Sequence, residues 1–185
     1  MASAASAANL IVAGGELTGA TGVDVAGTLY DVSFVEGTCP QVFEGCNEDF
    51  DFAFVRFADA TIAAQALLDQ VFVDGPLGNF DTDPTLTFGC EPSSFGCSAW
   101  IPVSPDPAIV AAENHAGFGD LVPSFLLYPA GHADNTSDRP PAVWARFEPS
   151  AVPEPASWVL MMFGFVAVGA LMRSAGTKTA SRAAA

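Results

Sequence analysis

Residues 9–38 alternate apolar and polar positions with glycines as punctuation: Tyr30, Val32 and Phe34 fall on one side of a period-two pattern, Asp31 and Ser33 on the other. Period two is the repeat of a strand, because successive side chains point to opposite faces. The pattern returns at Phe50, Phe52 and Phe54, with Asp51, Ala53 and Val55 between them, and predicts a strand whose three rings need a core to cover them. Over residues 59–74 the texture changes to Ala, Leu and Gln. Thr61, Gln65 and Asp69 lie four apart as a polar stripe, while Ile62, Ala66, Leu67 and Val71 point elsewhere. This stretch predicts one amphipathic helix laid on a sheet, with Asp59 as N-cap and Gly75-Pro76 as the stop. After Pro76 the chain turns often, and short strands are expected at 86–88, 99–103, 124–128 and 142–147. Residues 148–155, EPSAVPEP, read as a Pro-rich connector that ends the domain. The elements predict a mainly β (α+β) domain, a sandwich-like or open antiparallel sheet with one amphipathic helix.

With 185 residues, the chain is long enough for one domain and an appendage. Half of its residues are apolar and fifteen are Phe, which separates it from disordered acidic chains. Charge is unevenly spread. Residues 1–150 hold 20 Asp and Glu against 3 Lys and Arg, a formal charge of −17, whereas the remainder carries Glu154 against Arg173, Lys178 and Arg182. Such a body repels phosphate backbones and anionic headgroups, so no nucleic-acid partner is expected.

Four cysteines form two pairs of identical spacing, Cys39 with Cys46 and Cys90 with Cys97. Three pairings exist on paper, and the local one closes two short turns containing Gly or Pro. The rival, a four-thiolate metal centre, fits poorly because zinc sites usually place two to four residues between paired ligands. Two disulfide clips are expected, consistent with export. The opening MASAASAA has no basic or apolar leader of its own, yet is similar to the small-residue end of a signal peptide. Residues 1–8 are therefore read as a residual signal-peptide end, with the start of the leader expected upstream.

From Trp158 to Met172 the chain runs WVLMMFGFVAVGALM without a charge, and counted from Ala156 the uncharged run is seventeen residues. That is the short end of the length that spans a ~30 Å hydrocarbon core. Trp158 suits one headgroup zone and Arg173, Lys178 and Arg182 the cytoplasmic side, which puts the acidic domain outside. A single C-terminal transmembrane helix completes the expected fold.

The string Val152-Pro153-Glu154-Pro155-Ala156-Ser157-Trp158, followed by the apolar run and a basic end, resembles the PEP-CTERM sorting signal in its PEPxxW form. Two prolines hold the backbone extended and remove amide donors, leaving an accessible substrate just outside the bilayer. The resemblance implies recognition by an exosortase, with processing at or near Pro153, Glu154 and Pro155 and with Trp158 and Arg173 as flanking parts. It also implies a Gram-negative exporter that makes exopolysaccharide and biofilm material, which makes exopolysaccharide a candidate partner. The family's basic end is usually a compact Arg cluster, whereas here Arg173 stands alone and the chain runs on to Ala185. Residues 15–46 also look like other ectodomains bearing this signal, a likeness that carries no activity.

Candidate chemistry in the domain is sparse. His115 and His132 are the only histidines; His132 shares a loop with Asp134 and Asp138 but belongs to no spaced ligand motif. Glu48, Asp49 and Asp51, and separately Asp81 and Asp83, cluster in turn-like segments where carboxylates could ligate calcium, though without an EF-hand loop. Gly96-Cys97-Ser98-Ala99-Trp100 lacks the second glycine of a nucleophile elbow. Asn135-Thr136-Ser137 matches a glycosylation sequon by residue type alone.

The sequence is therefore read as a residual signal end (1–8), an acidic exported ectodomain (9–148), a linker with the PEP motif (149–155), a transmembrane helix (156–173) and a cytoplasmic tail (174–185). The expected role is a non-catalytic cell-surface or extracellular-matrix protein, held in the inner membrane until processed, with no metal or cofactor. The alternative is an exported enzyme or calcium-binding module.

Overall fold

The alternating stretch at the start folds as an antiparallel meander of β1 (Asn9–Ala13), β2 (Glu16–Val25) and β3 (Thr28–Val35). The register of β2 against β3 shifts between Ala20 and Val23. Gly22 sits in this bulge at φ 71°, a conformation that suits a residue without Cβ, and donates its N–H to Asp31 Oδ1 at 3.1 Å. The computed structural model describes residues 8–90, 96–103, 108–123 and 135–150. These lie in the first of two units of the chain, Met1–Ser150; the second is Ala151–Ala185. The predicted strand at 124–128, the transmembrane helix at 156–173, the tail at 174–185 and residues 1–7 lie outside the described residues. No helix among the described residues is long and apolar enough to cross a membrane.

After a single-turn helix, α1 (Cys39–Val42), comes the main helix, α2 (Phe57–Gln70). It starts two residues before the expected cap: Arg56 is the N-cap, and Asp59 lies in the first turn, where its carboxylate suits the helix N-terminus and meets Arg56 Nε at 2.9 Å. It also ends well before Gly75. Gln70 closes it by accepting from Asp24 N and donating to Asp24 O, both at 2.9 Å, and the next residues leave the helix so that Phe72 can stack on Phe34 at 5.5 Å. The polar stripe is present, with Gln65 Nε2 donating to Asp69 Oδ1 at 2.9 Å. Ile62 belongs with it, at 45% exposure, while Ala60, Ala63, Ala64 and Leu67 form the buried side.

A short hairpin follows, β4 (Asp74–Gly75) with β5 (Gly78–Asn79), and then β6 (Gly96–Pro102), β7 (Ile109–His115) and β8 (Ala142–Pro149). The expected strand at 86–88 is instead the end of a 3-10 turn, Pro84–Leu86, and a single bridge from Thr87 to Leu17. The main sheet has the order β1-β2-β3-β8-β6-β7. It is one open sheet, and it is mixed rather than antiparallel, because β8 runs parallel to β6 over Ser98, Ala99 and Trp100. The cause is topological. β7 ends where β6 begins, with His115 opposite Gly96, so the chain re-enters the sheet at that end.

Both faces of β6, β7 and β8 are covered. Ala99, Ile101, Val110, Ala112, Val143 and Ala145 pack with the α2 side chains in one core cluster. Trp100, Ile109, Ala111 and Trp144 pack with Cys39, Val42, Phe43, Cys46 and Phe52 in a second. Each large apolar side chain removed from water in this way contributes about 1.5–3 kcal/mol. Strand β8 also runs on through Glu148 and Pro149, which pair with Asp31 and Tyr30, so the stretch expected to be free connector begins inside the sheet.

Candidate functional site

The segment between β3 and α2 builds a concave surface of the domain. Thr38 donates its N–H to Gln41 Oε1 at 2.9 Å and starts α1. Glu44, Gly45 and Cys46 then take φ of 52°, 133° and 55°, a left-handed reversal that folds Cys46 back onto Cys39. At φ 133° Gly45 holds a conformation that residues with a Cβ rarely adopt, so the turn favours glycine. The two cysteines are disulfide-bonded with Cα atoms 5.7 Å apart, and Cys90 and Cys97 are bonded at 5.4 Å, within the usual range. The local pairing read from the spacing is the one present.

Beyond the clip the expected strand at 50–54 is absent. Asp51 accepts from the backbone N–H groups of Asn47 and Glu48, both at 3.0 Å, and holds a 3-10 turn, Asp49–Asp51. That turn projects Phe50 into solvent at 84% exposure. Phe52 and Phe54 are both buried but in different places: Phe52 packs on Phe43 in one core cluster, and Phe54 on Tyr30 and Phe147 in the other. The chain thus passes from one face of the sheet to the other within two residues.

Beside this crossing lies a cleft of about 550 Å³. Its aromatic lining comes from Tyr30, Phe43, Phe50, Phe52 and Phe147, and its charged lining from Glu44, Asp51, Arg146 and Glu148. Arg146 Nη2 and Glu148 Oε1 form an ion pair at 2.7 Å. The cleft is thus acidic overall and in the size range of ligand sites.

A second polar group lies on the β6–β7 ladder. Trp100 Nε1 donates to Ser98 Oγ at 2.9 Å, and Ser98 Oγ donates to Glu113 Oε1, its cross-strand neighbour, at 2.7 Å. Burial pushes the Glu113 carboxyl above the ordinary glutamate range, opposed by the Ser98 hydroxyl and by His115. His115 shares the face of Glu113; its backbone N–H donates to Asp120 Oδ1 at 2.9 Å, and its buried Nδ1 has no hydrogen-bond partner among the described residues. Ser98 thus accepts from the Trp100 indole and donates to Glu113, and among the described residues no imidazole is hydrogen-bonded to it. Glu113 itself gives no sequence signal beyond a lone carboxylate in an apolar run.

The acidic clusters resolve differently from their spacing. Asp74, on β4, accepts from Asp81 N, Thr82 N and Thr82 Oγ1, and these bonds, the Thr82 amide foremost, hold its carboxyl below the ordinary range. Asp81 is pushed up by burial and by the neighbouring Asp120 and Asp74 carboxylates. Its sequence neighbour Asp83 instead accepts from Thr85 Oγ1. Asp51 is engaged with backbone amides, as above, and among the described residues no three His, Cys, Asp or Glu side chains gather to hold a metal ion. His132 and Asp134 lie outside the described residues, and Asp138 ends the 3-10 turn Thr136–Asp138. At the sequon, Asn135 Oδ1 caps that turn by accepting from Ser137 N, and Thr136 is buried with its hydroxyl on Gly37.

The residues expected to direct sorting, Pro153, Glu154, Pro155, Trp158 and Arg173, lie outside the described residues. No curated protein and no solved structure matches the chain. A family model does: that of the PEP-CTERM protein-sorting motif, which matches residues 151–174 and spans all five of those positions. The chain therefore carries a PEP-CTERM protein-sorting motif, a signal that implies export, exosortase processing and a surface or extracellular destination.

Proposed function

We propose that the protein is a non-catalytic component of the cell surface or extracellular matrix, delivered there by exosortase processing of its C-terminal signal. The motif match at residues 151–174 is the observation that carries this reading. In it, residues 156–173 hold the precursor in the inner membrane with the acidic domain on the outer side, and cleavage at or near Pro153, Glu154 and Pro155 releases the domain. The two disulfides support an oxidising destination. The direct bonding of Ser98 to Glu113 supports a structural use of the most enzyme-like groups in the domain.

The test is a precursor with Pro153, Glu154 and Pro155 all changed to Ala, expressed in an exosortase-containing host. The expected result is accumulation of the unprocessed chain in the inner-membrane fraction, while the wild type reaches the surface or medium. Equal release of both would overturn the reading.

A further inference from the structure

Of the two edges of the main sheet, one is closed among the described residues. At β7 the following turn folds back on the strand: Glu113 N donates to Leu121 O at 3.0 Å, Leu121 N donates to Glu113 O at 3.1 Å, and His115 N donates to Asp120 Oδ1. At the other edge β1 pairs with β2 and, among the described residues, with no other strand. Ala13 and Glu16 close the two-residue loop at Gly14 and Gly15, and Thr18 Oγ1 donates to Ile11 O at 3.1 Å, so Ile11 and Ala13 turn their backbone groups to β2. Alternation turns those of Leu10 and Val12 to the outer edge. An edge strand usually carries a charge or a proline that keeps other chains off, and NLIVA carries neither. The one irregularity in its ladder places the extra residue, Thr18, in β2 and leaves β1 regular. Ile11 is 45% exposed on one face, while Leu10 and Val12 pack against the core on the other. On the Leu10 side opens a groove of about 380 Å³, walled by Ala8, Leu10, Val73, Pro76 and the exposed Leu77.

We propose that β1 pairs antiparallel with β1 of a second copy of this chain, across a two-fold axis at Ile11. In that register Leu10 lies opposite the partner's Val12, and Val12 opposite the partner's Leu10, each pair exchanging both backbone hydrogen bonds. Residues directly opposite share a face, so the partner's Val12 enters the groove beside Leu77, and the two Ile11 side chains meet on the other face. Charge selects the occupant. The charged lining of the groove is Asp69 and Asp74, which repel an acidic segment. Both are already engaged, Asp69 by Gln65 Nε2 and Asp74 by Asp81 N, Thr82 N and Thr82 Oγ1, so a basic segment finds no free carboxylate to gain from. A neutral apolar strand fits, and β1 supplies one whose self-pairing closes at a dimer. The −17 charge of each body opposes the approach and is screened by salt, so the pairing tightens as salt rises.

The test is sedimentation of the full-length protein in density-matched detergent micelles at low and high salt, beside the variants Ile11→Lys, Ile11→Val and Phe118→Lys. Ile11 and Phe118 are both exposed, so each variant keeps the fold, which circular dichroism checks. A dimer is expected that tightens with salt, is weakened about tenfold or more by Ile11→Lys, which sets two like charges opposite each other at the axis, and is kept in Ile11→Val and Phe118→Lys. A photoreactive benzophenone side chain in place of Ile11 is expected to crosslink to residues 9–13 of the second copy, read by the mass of the joined peptides. A monomer at every salt concentration overturns the proposal. So does a dimer that Ile11→Lys leaves intact, as association through residues 156–173 would give, equal weakening by Phe118→Lys, or a dimer that salt dissolves.

Discussion

The indole N–H of Trp144 donates to the carbonyl of Gly37 at 2.9 Å, tying the centre of β8 to the turn that opens the first disulfide clip. Thr136 N donates to the same carbonyl at 3.1 Å, so the approach to β8 and its centre both meet the distant Gly37 turn at one oxygen. Trp144 is also fully buried, with edge contacts to Trp100 and Phe43. Replacing Trp144 with Phe removes the donor and part of the packing, and is expected to cost about 2–4 kcal/mol of stability. Urea unfolding followed by circular dichroism measures it; a loss under about 0.5 kcal/mol would contradict the packing described.

The three alternating phenylalanines give a sharper contrast. Phe52→Ala and Phe54→Ala each open a buried site and are expected to cost about 3–5 kcal/mol. Phe50→Ala removes an exposed ring and should change stability by no more than about 0.5 kcal/mol. A regular strand with three rings on one face would instead make the three losses similar, so the same unfolding series separates the two arrangements.

That contrast also shows where sequence patterning reaches its limit. Alternation reports a half-buried strand, and it reads correctly at Tyr30, Val32 and Phe34, where one face meets the core. It misleads at Phe50, Phe52 and Phe54, because the period is produced by one solvent-facing ring and two rings bound for opposite faces of the sheet. Strand β7 escapes notice for the converse reason. Ile109, Val110, Ala111 and Ala112 are all buried, since both faces of the sheet are covered there, and no alternation remains to be seen. The extension of β8 through Pro149 is hidden by a residue that normally ends strands, tolerated because its place in the ladder turns the missing N–H away from β3. The cysteine clips and the sorting motif are legible because both are local: spacing alone brings their parts together. The cleft, the Ser98–Glu113 bond and the Asp74, Asp81 and Asp120 group depend on long-range register, which spacing does not encode.

Loss of the first clip should be measurable and modest. Changing Cys39 and Cys46 together to Ser frees a loop of eight residues, worth about 2.5 kcal/mol on the chain-entropy estimate. The wild-type protein digested without reductant should yield peptides linking Cys39 to Cys46 and Cys90 to Cys97. A crossed pairing would contradict the clip geometry.

Glu113 gives the domain a signed pH dependence. Its carboxyl is raised by burial, so between the ordinary glutamate value of 4.5 and its folded value the native state holds more proton than the unfolded chain. Its contribution to stability is therefore fully present below the ordinary value and is lost as pH rises through the folded value. Glu113→Gln keeps an oxygen for the Ser98 hydroxyl and removes the titration. The variant should gain melting temperature relative to wild type near neutral pH, and the gain should shrink as pH falls toward 4.5. A difference independent of pH, measured by thermal melts across that range, would contradict the burial of this group.

The central claim, that the C-terminal signal is processed by an exosortase, is tested most directly by the mass of the protein's C-terminal peptide. The protein would be purified from an exosortase-containing host and from the same host with the enzyme deleted. A C-terminus at or near Pro153, Glu154 or Pro155 only when the enzyme is present is the predicted result. An intact terminus at Ala185 in both strains would contradict it.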